Sequence, residues 1–384
     1  MLKATRRLLP WLLCASLAAC STVEKLNPFA PDAPKVKPAE LVPLTNSIEV
    51  RTDWQASVGA AGEYVFSPAV VGESVFAAAR DGSVVRMDGP RQAWRVGVGQ
   101  VSSGGVGADE KLVAVGSPKG EIIALDARDG RELWRVRVSS EVLAAPAVGG
   151  GLVLVRSADS RVFAFDAADG KRRWVYQRAT PALSLRSPVG LVIVDRVAVA
   201  GFPGGKMVAI ALNNGAAVWE VTVALPKGAT ELERVADVTS LPVVGKQDVC
   251  AAAFQGRVAC FDPAGGSNLW GRDMSSSAGI DFDERYVYVS DDGGSVHALD
   301  RTTGASIWRQ TKLANRGLSR PLAVGGRVVV GDAQGYLHVL KREDGAFLAR
   351  LATDGSAIAT PPQRLGDGLL VQTKNGAVMA VRLR

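Results

Sequence analysis

Gly120-Glu-Ile-Ile-Ala-Leu-Asp126-Ala-Arg-Asp129-Gly130-Arg-Glu-Leu-Trp134 is one copy of a unit that the chain writes several times. Another copy reads Gly294-Ser-Val-His-Ala-Leu-Asp300-Arg-Thr-Thr-Gly304-Ala-Ser-Ile-Trp308. Trp94, Trp134, Trp174, Trp219, Trp270 and Trp308 keep the register, spaced by 40, 40, 45, 51 and 38 residues. In five of these repeats the Trp follows a hairpin position by 14 residues, at Gly120, Ser160, Gly205, Gly256 and Gly294. Self-similarity near this length marks the blades of a β-propeller, which grows by stacking units around one ring. It overrides the two or three ordinary domains that 384 residues suggest.

The unit explains its own shape. A glycine-containing turn reverses the chain. A strand of Val, Ile, Ala and Leu follows, apolar on both faces, as expected where neither face sees water. Asp and a second Gly make the next turn, and the Trp on the outer strand packs against the adjoining blade. The run G-x-[IV]-x-A-[LF]-D-x-x-[DT]-G-x-x-x-W resembles the quinoprotein (PQQ-type) propeller repeat. Hairpin positions recur at Gly82, Gly120, Ser160, Gly205, Gly256, Gly294, Gly335 and Gly376, which predicts an all-β, eight-bladed propeller of four-stranded antiparallel blades. The last copy has no room for its outer strand before Arg384, whereas Trp54 stands in a strand with no blade before it. The N-terminal strand is therefore expected to complete the last blade and close the ring, leaving no open edge. One copy has Ala349 where the Trp belongs, and Phe347 beside it is the candidate substitute.

The first 19 residues read as an export signal. Lys3, Arg6 and Arg7 are followed by an apolar stretch, Leu8 to Leu17, too short to be a permanent span. Leu17-Ala-Ala-Cys20 resembles the lipobox of bacterial lipoproteins, with Cys20 the acceptor of diacylglycerol. Ser21 is not the Asp that retains a lipoprotein at the inner membrane, which implies the periplasmic face of the outer membrane. Residues 20–47 carry Pro28, Pro31, Pro34, Pro38 and Pro43 and read as an extended tether, with the propeller in residues 48–384. Membrane contact is then through the lipid alone. The formal charge is +7, of which the leader carries three bases and no acid, leaving +4 without any basic run. Nucleic acid is not an expected partner.

Groups that carry protons, electrons or metals are sparse. His297 and His338 each lie three residues after a hairpin Gly and read as inner-strand residues. Zinc-ligand spacings are missing. Gly201-Phe-Pro-Gly-Gly205-Lys206 has one residue too few for a phosphate loop and reads as a hairpin. No cofactor and no metal is expected, and the chain reads as non-enzymatic. Cys250 and Cys260 flank one hairpin and leave two readings: a disulfide suited to an oxidising compartment, or two small buried apolar residues.

The repeat lengthens only ahead of the fourth and fifth hairpins, so the added residues belong to two adjacent inter-blade connections. The first contains Thr180-Pro-Ala-Leu183-Ser-Leu185-Arg186-Ser-Pro188, the second Thr230-Glu-Leu-Glu233-Arg234-Val-Ala-Asp237-Val-Thr239. Leucines beside an Arg on a projecting loop suit a protein contact.

Lipobox, Pro-rich tether, eight quinoprotein-like blades and these two loops together look like the BamB family, lipoprotein subunits of the outer-membrane β-barrel assembly machinery. The resemblance spans essentially the whole chain. It implies a non-catalytic subunit that docks on the POTRA domains of the insertase BamA and assists barrel folding, with unfolded outer-membrane proteins as further candidate partners. Leu183, Leu185, Arg186 and Asp237 match the family's partner-binding positions, while Thr239 stands where the family has a second acid. Two alternatives carry the same repeat: a PQQ-dependent dehydrogenase, which needs an acidic calcium site not evident here, and a scaffold for some other envelope partner.

Overall fold

Each inner strand is hydrophobic on both faces because a blade lies on either side of it, and only the outermost strand alternates. The third strand of the second blade, Glu121–Asp126, is buried from its second residue onward, whereas its outer neighbour Glu132–Arg137 buries only Trp134 fully. This contrast builds the ring. The computed structural model describes residues 37–384; the leader, Cys20 and the tether up to residue 36 lie outside the described residues. Every regular element described is a strand, arranged as eight four-stranded antiparallel sheets. Blade 1 comprises Ala69–Val71, Ser74–Ala78, Ser83–Asp88 and Arg91–Gly97, from the axis outward. Blades 2 to 7 span residues 107–137, 147–177, 191–222, 243–273, 279–310 and 322–352. Blade 8 takes three strands from the C-terminus, Gln363–Leu365, Gly368–Gln372 and Ala377–Leu383, and its outer strand, Val50–Ser57, from the N-terminus. Val50 pairs with Leu383 and Ser57 with Ala377, so the ring closes as expected.

Blade meets blade through one repeated latch. The indole N–H of Trp94, Trp134, Trp174, Trp219, Trp270 or Trp308 donates to a main-chain carbonyl in the next blade's outer turn, at 2.7–3.1 Å. The turn glycine, Gly130, Gly170, Gly215, Gly266, Gly304 or Gly345, lies on the ring in a left-handed conformation. A Cβ there would approach the ring to 2.5–3.4 Å, which is why the repeat demands Gly. Across its own sheet the Trp opposes a small residue in most blades, such as Ala124, Ala164, Ala209 or Cys260. Where the Trp gives way to Ala349, the opposing residue grows to Val339.

Three expectations are corrected here. Gly256 lies in its hairpin, but the left-handed residue of that turn is Gln255, with φ 48°. Phe347 does not stand in for the missing Trp: it turns toward the packing between blades 6 and 7, while the cluster around Ala349 is filled by Ile48 and Val50. The tether, read to residue 47, is bound from residue 38 onward. Ala39 N–H donates to the Ala314 carbonyl, and Arg316 and Arg350 donate to the carbonyls of Ala39 and Val42. The Asn46 side chain satisfies both peptide groups of Arg350, and Ser47 N–H donates to Leu348. The physical reason is the outer edge of blade 7, which has free peptide groups and no Trp.

Candidate partner-binding site

Connections between blades and the central hairpins emerge on one face, called upper here; the outer turns carrying the latch lie on the lower face. The two lengthened connections, residues 178–190 and 223–242, are neighbours on the upper face and are sewn together. Asp237 is 2% exposed and accepts the Leu185 N–H at 2.7 Å and the Gly204 N–H at 2.9 Å, while its own carbonyl accepts the Phe254 N–H. The carboxylate thus ties the first loop to the hairpin of blade 4, and the main-chain carbonyl of the same residue holds the hairpin of blade 5. Ser187 donates to the Thr239 carbonyl at 3.0 Å, and the Thr239 hydroxyl donates onward to the Ser277 carbonyl. Asp237 therefore neither touches Arg186 nor faces outward; it shapes the loop that presents Leu185. Thr239 is a buried link in the same chain of contacts.

The stitched loop displays Leu183 and Leu185, 43% and 39% exposed. Arg186 makes a two-pronged pair with Glu141 from the preceding connection, both contacts at 2.9 Å, and lies over the Tyr64 ring at 5.7 Å. The hydrogen bonds that Arg186 donates to Glu141 raise its pKa above the usual arginine value. Beneath it, Arg156 stacks on Phe202 and donates to the Val189 carbonyl. Burial pushes the Arg156 guanidinium down to about 10, with the nearby Asp237 charge opposing. Glu141, Arg156, Leu185, Arg186 and Asp237 wall a cleft of about 240 Å³.

The second loop contains one tight turn, residues 229–234, built as a capping box. Thr230 accepts the Glu233 N–H, and the Glu233 carboxylate accepts the N–H groups of Ala229 and Thr230, which hold its pKa low. The turn leaves Leu232 73% exposed, and Leu225 ahead of it in the same loop is 65% exposed. Sequence reasoning missed Glu141, Tyr64, Leu225 and Leu232 as members of this face. The Thr-x-x-Glu spacing was a readable signal for the turn that displays Leu232; Glu141 and Tyr64 lie in connections of ordinary length and carry none.

The remaining candidates are structural. His297 pairs with Asp291 at 2.7 Å and His338 with Asp332 at 2.9 Å. Burial lowers the His338 pKa, and hydrogen bonds from His338, Tyr336 and Arg316 hold Asp332 low against its own burial. Cys250 and Cys260 face each other across the middle hairpin of blade 5, Cα atoms 4.1 Å apart and sulfurs joined. Asp248 lies beside them, but its carboxylate is committed to Arg301 at 2.6 and 2.7 Å, so this trio offers no free donor set for a metal.

Ring and latch define a propeller of the quinoprotein-repeat class, with two long loops joined on its upper face. The family model described as outer membrane protein assembly factor BamB matches residues 80–310 and 292–383. A protein of that name from Bordetella pertussis is 42% identical over 385 residues, covering 100% of both chains. The chain belongs to the BamB family. The crystal structure of BamB from Moraxella catarrhalis superposes with a TM-score of 0.82 at 28% identity, covering 87% of this chain and 100% of that one. The quinohemoprotein alcohol dehydrogenase of Comamonas testosteroni reaches 0.70 at 14% identity, over 86% and 76% of the chains. That likeness is one of fold. The relatives are named as assembly factors, a non-catalytic role.

Proposed function

We infer that this chain is a scaffold subunit of the outer-membrane protein assembly machinery, held by a lipid on Cys20 at the periplasmic face of the outer membrane. Its upper platform docks on the POTRA domains of a BamA-type insertase and supports the folding of β-barrel clients. The observation that carries this reading is the stitched pair of loops, in which Asp237 and Thr239 spend their polar groups internally so that Leu183, Leu185 and Arg186 face out. Each leucine, if fully covered, contributes roughly 1.5–3 kcal/mol, and an arginine fork suits carboxylates or main-chain carbonyls. Arg186 is held by Glu141 in the free protein, so an acidic partner group must compete with that pair.

Co-purification of the insertase from cells carrying Leu183→Ala with Leu185→Ala, or Arg186→Ala, tests the docking. Loss of the insertase with an unchanged melting curve supports it; full retention moves the interface elsewhere on the ring. Cys20→Ala, followed by palmitate labelling, tests the anchor independently.

A further inference from the structure

Seven tryptophans occupy the same outer-strand position among the described residues, and six of them are covered in the same way, by the next blade's outer turn. Trp54, which faces blade 1, is the exception. Blade 1 turns through Asp88-Gly89-Pro90, two residues shorter than the common form, so that Trp94 follows Gly82 by 12 residues. Gly89 adopts the usual left-handed conformation at φ 61°, yet a Cβ on it would meet nothing within 4 Å, so the turn stands clear of the indole. Trp54 Nε1 makes no hydrogen bond to any described residue, although its ring packs on the blade 1 core. A cleft of about 730 Å³ opens there on the lower face, between Trp54, Gly72, Glu73, Gly89, Asp367 and Arg382. At the seam between blades 7 and 8 turn and Trp are both missing, so nothing is left open.

We propose that this cleft is a docking site for a tight turn of another polypeptide, one that lays a glycine on the Trp54 ring and offers a main-chain carbonyl to its Nε1–H. The chemistry of the occupant is written in the protein itself, which makes this contact six times with its own outer turns. A ring with one face packed and its N–H edge wet is a good interface anchor. The walls carry both signs: Glu73 and Asp367 face Arg384 and an Arg382 that pairs with Asp53 at 2.6 Å, which complements turns such as Asp126-Ala-Arg-Asp-Gly-Arg131 that carry both signs as well. The site lies on the face opposite the platform and does not depend on that reading.

The probe is a disulfide-closed hairpin peptide with the sequence of residues 121–134, added to the mature chain labelled with 15N. Trp54→Phe assigns the Trp54 indole resonance. The Trp54 N–H should exchange with solvent at least tenfold faster than the six latched indoles, and millimolar peptide should shift it saturably while leaving the other six in place. A second variant replaces residues 88–90 with the Asp-Ala-Arg-Asp-Gly turn of blade 2; it should protect the Trp54 N–H and abolish the peptide response. The proposal is overturned by a Trp54 N–H already as protected as the others, by no shift or a general shift with peptide, or by undiminished binding to the grafted variant. A shift that grows with protein concentration alone would assign the cleft to a second copy, and one that follows removal of residues 21–36 would assign it to this chain's own tether; either also overturns it.

Discussion

Asp237→Ala separates a residue that touches the partner from one that shapes the surface the partner sees. The substitution removes two hydrogen bonds from main-chain N–H groups to a buried carboxylate, at Leu185 and Gly204. Bonds to a charged group contribute about 1.5–3 kcal/mol each. The exposed loop at Leu185 regains water once released, so the net loss lies near the lower end, about 3 kcal/mol. Unfolding entropy near 2.1 cal/mol/K per residue gives roughly 0.7 kcal/mol/K for a ring of this size, so the melting temperature should fall by about 4 °C. Hydrogen exchange at the Leu185 amide should quicken and insertase binding should weaken together. Arg186→Ala, whose side chain is 53% exposed, should weaken binding without either structural change. Calorimetry, amide exchange and a binding titration read the three quantities. If Asp237→Ala loses binding while Leu185 exchange and melting stay at wild-type values, the acid contacts the partner directly and the positioning role is wrong.

Deleting residues 21–36 should leave the melting temperature within about a degree, whereas deleting 37–48 should lower it by several degrees, because it takes one main-chain acceptor each from Arg316 and Arg350 and bares the edge of blade 7; equal behaviour of the two would contradict the bound segment. The Cys250–Cys260 link closes a short loop with a sequence separation of 10, so replacing both by Ser should destabilise the native protein by about 3 kcal/mol in denaturant unfolding. A mass unchanged by alkylation after unfolding without reductant would confirm the bond; two alkylated thiols would refute it. Because burial lowers the His338 pKa below 6.5, the unfolded chain takes up that proton first and stability should fall as pH drops through 6.5. His338→Gln should flatten this slope between pH 7 and 5 while reducing stability throughout, and an unchanged slope would place the titrating group elsewhere.

The blade count was legible because turns and latch residues recur in one dimension: Gly at a left-handed position and Trp 14 residues on are local demands repeated along the chain. Even Ser160, at φ 61°, was found by register although its residue type argues against it. Trp54 exposed the closure because a latch residue stood without a blade. What stayed hidden joins distant repeats. Asn46 satisfying the peptide groups of Arg350, 304 residues away, leaves no periodic trace, and proline content spoke for a free tether. Asp237 could be assigned to the second long loop, but whether a carboxylate points out or in is decided by N–H groups on two other segments. Glu141 gave no signal because its connection has ordinary length.

The pairing of Val50–Ser57 with Ala377–Leu383 also sets the order of events as the protein is made. Of the described strands, the one that closes the ring is the first to emerge and its partner the last, so intermediate blades can form in succession while the circle stays open. Early chains carry an orphan strand at one end and an uncapped blade at the other, both presenting unpaired peptide groups. A chain that lacks the final hairpin therefore never acquires the closed form and keeps an exposed strand edge.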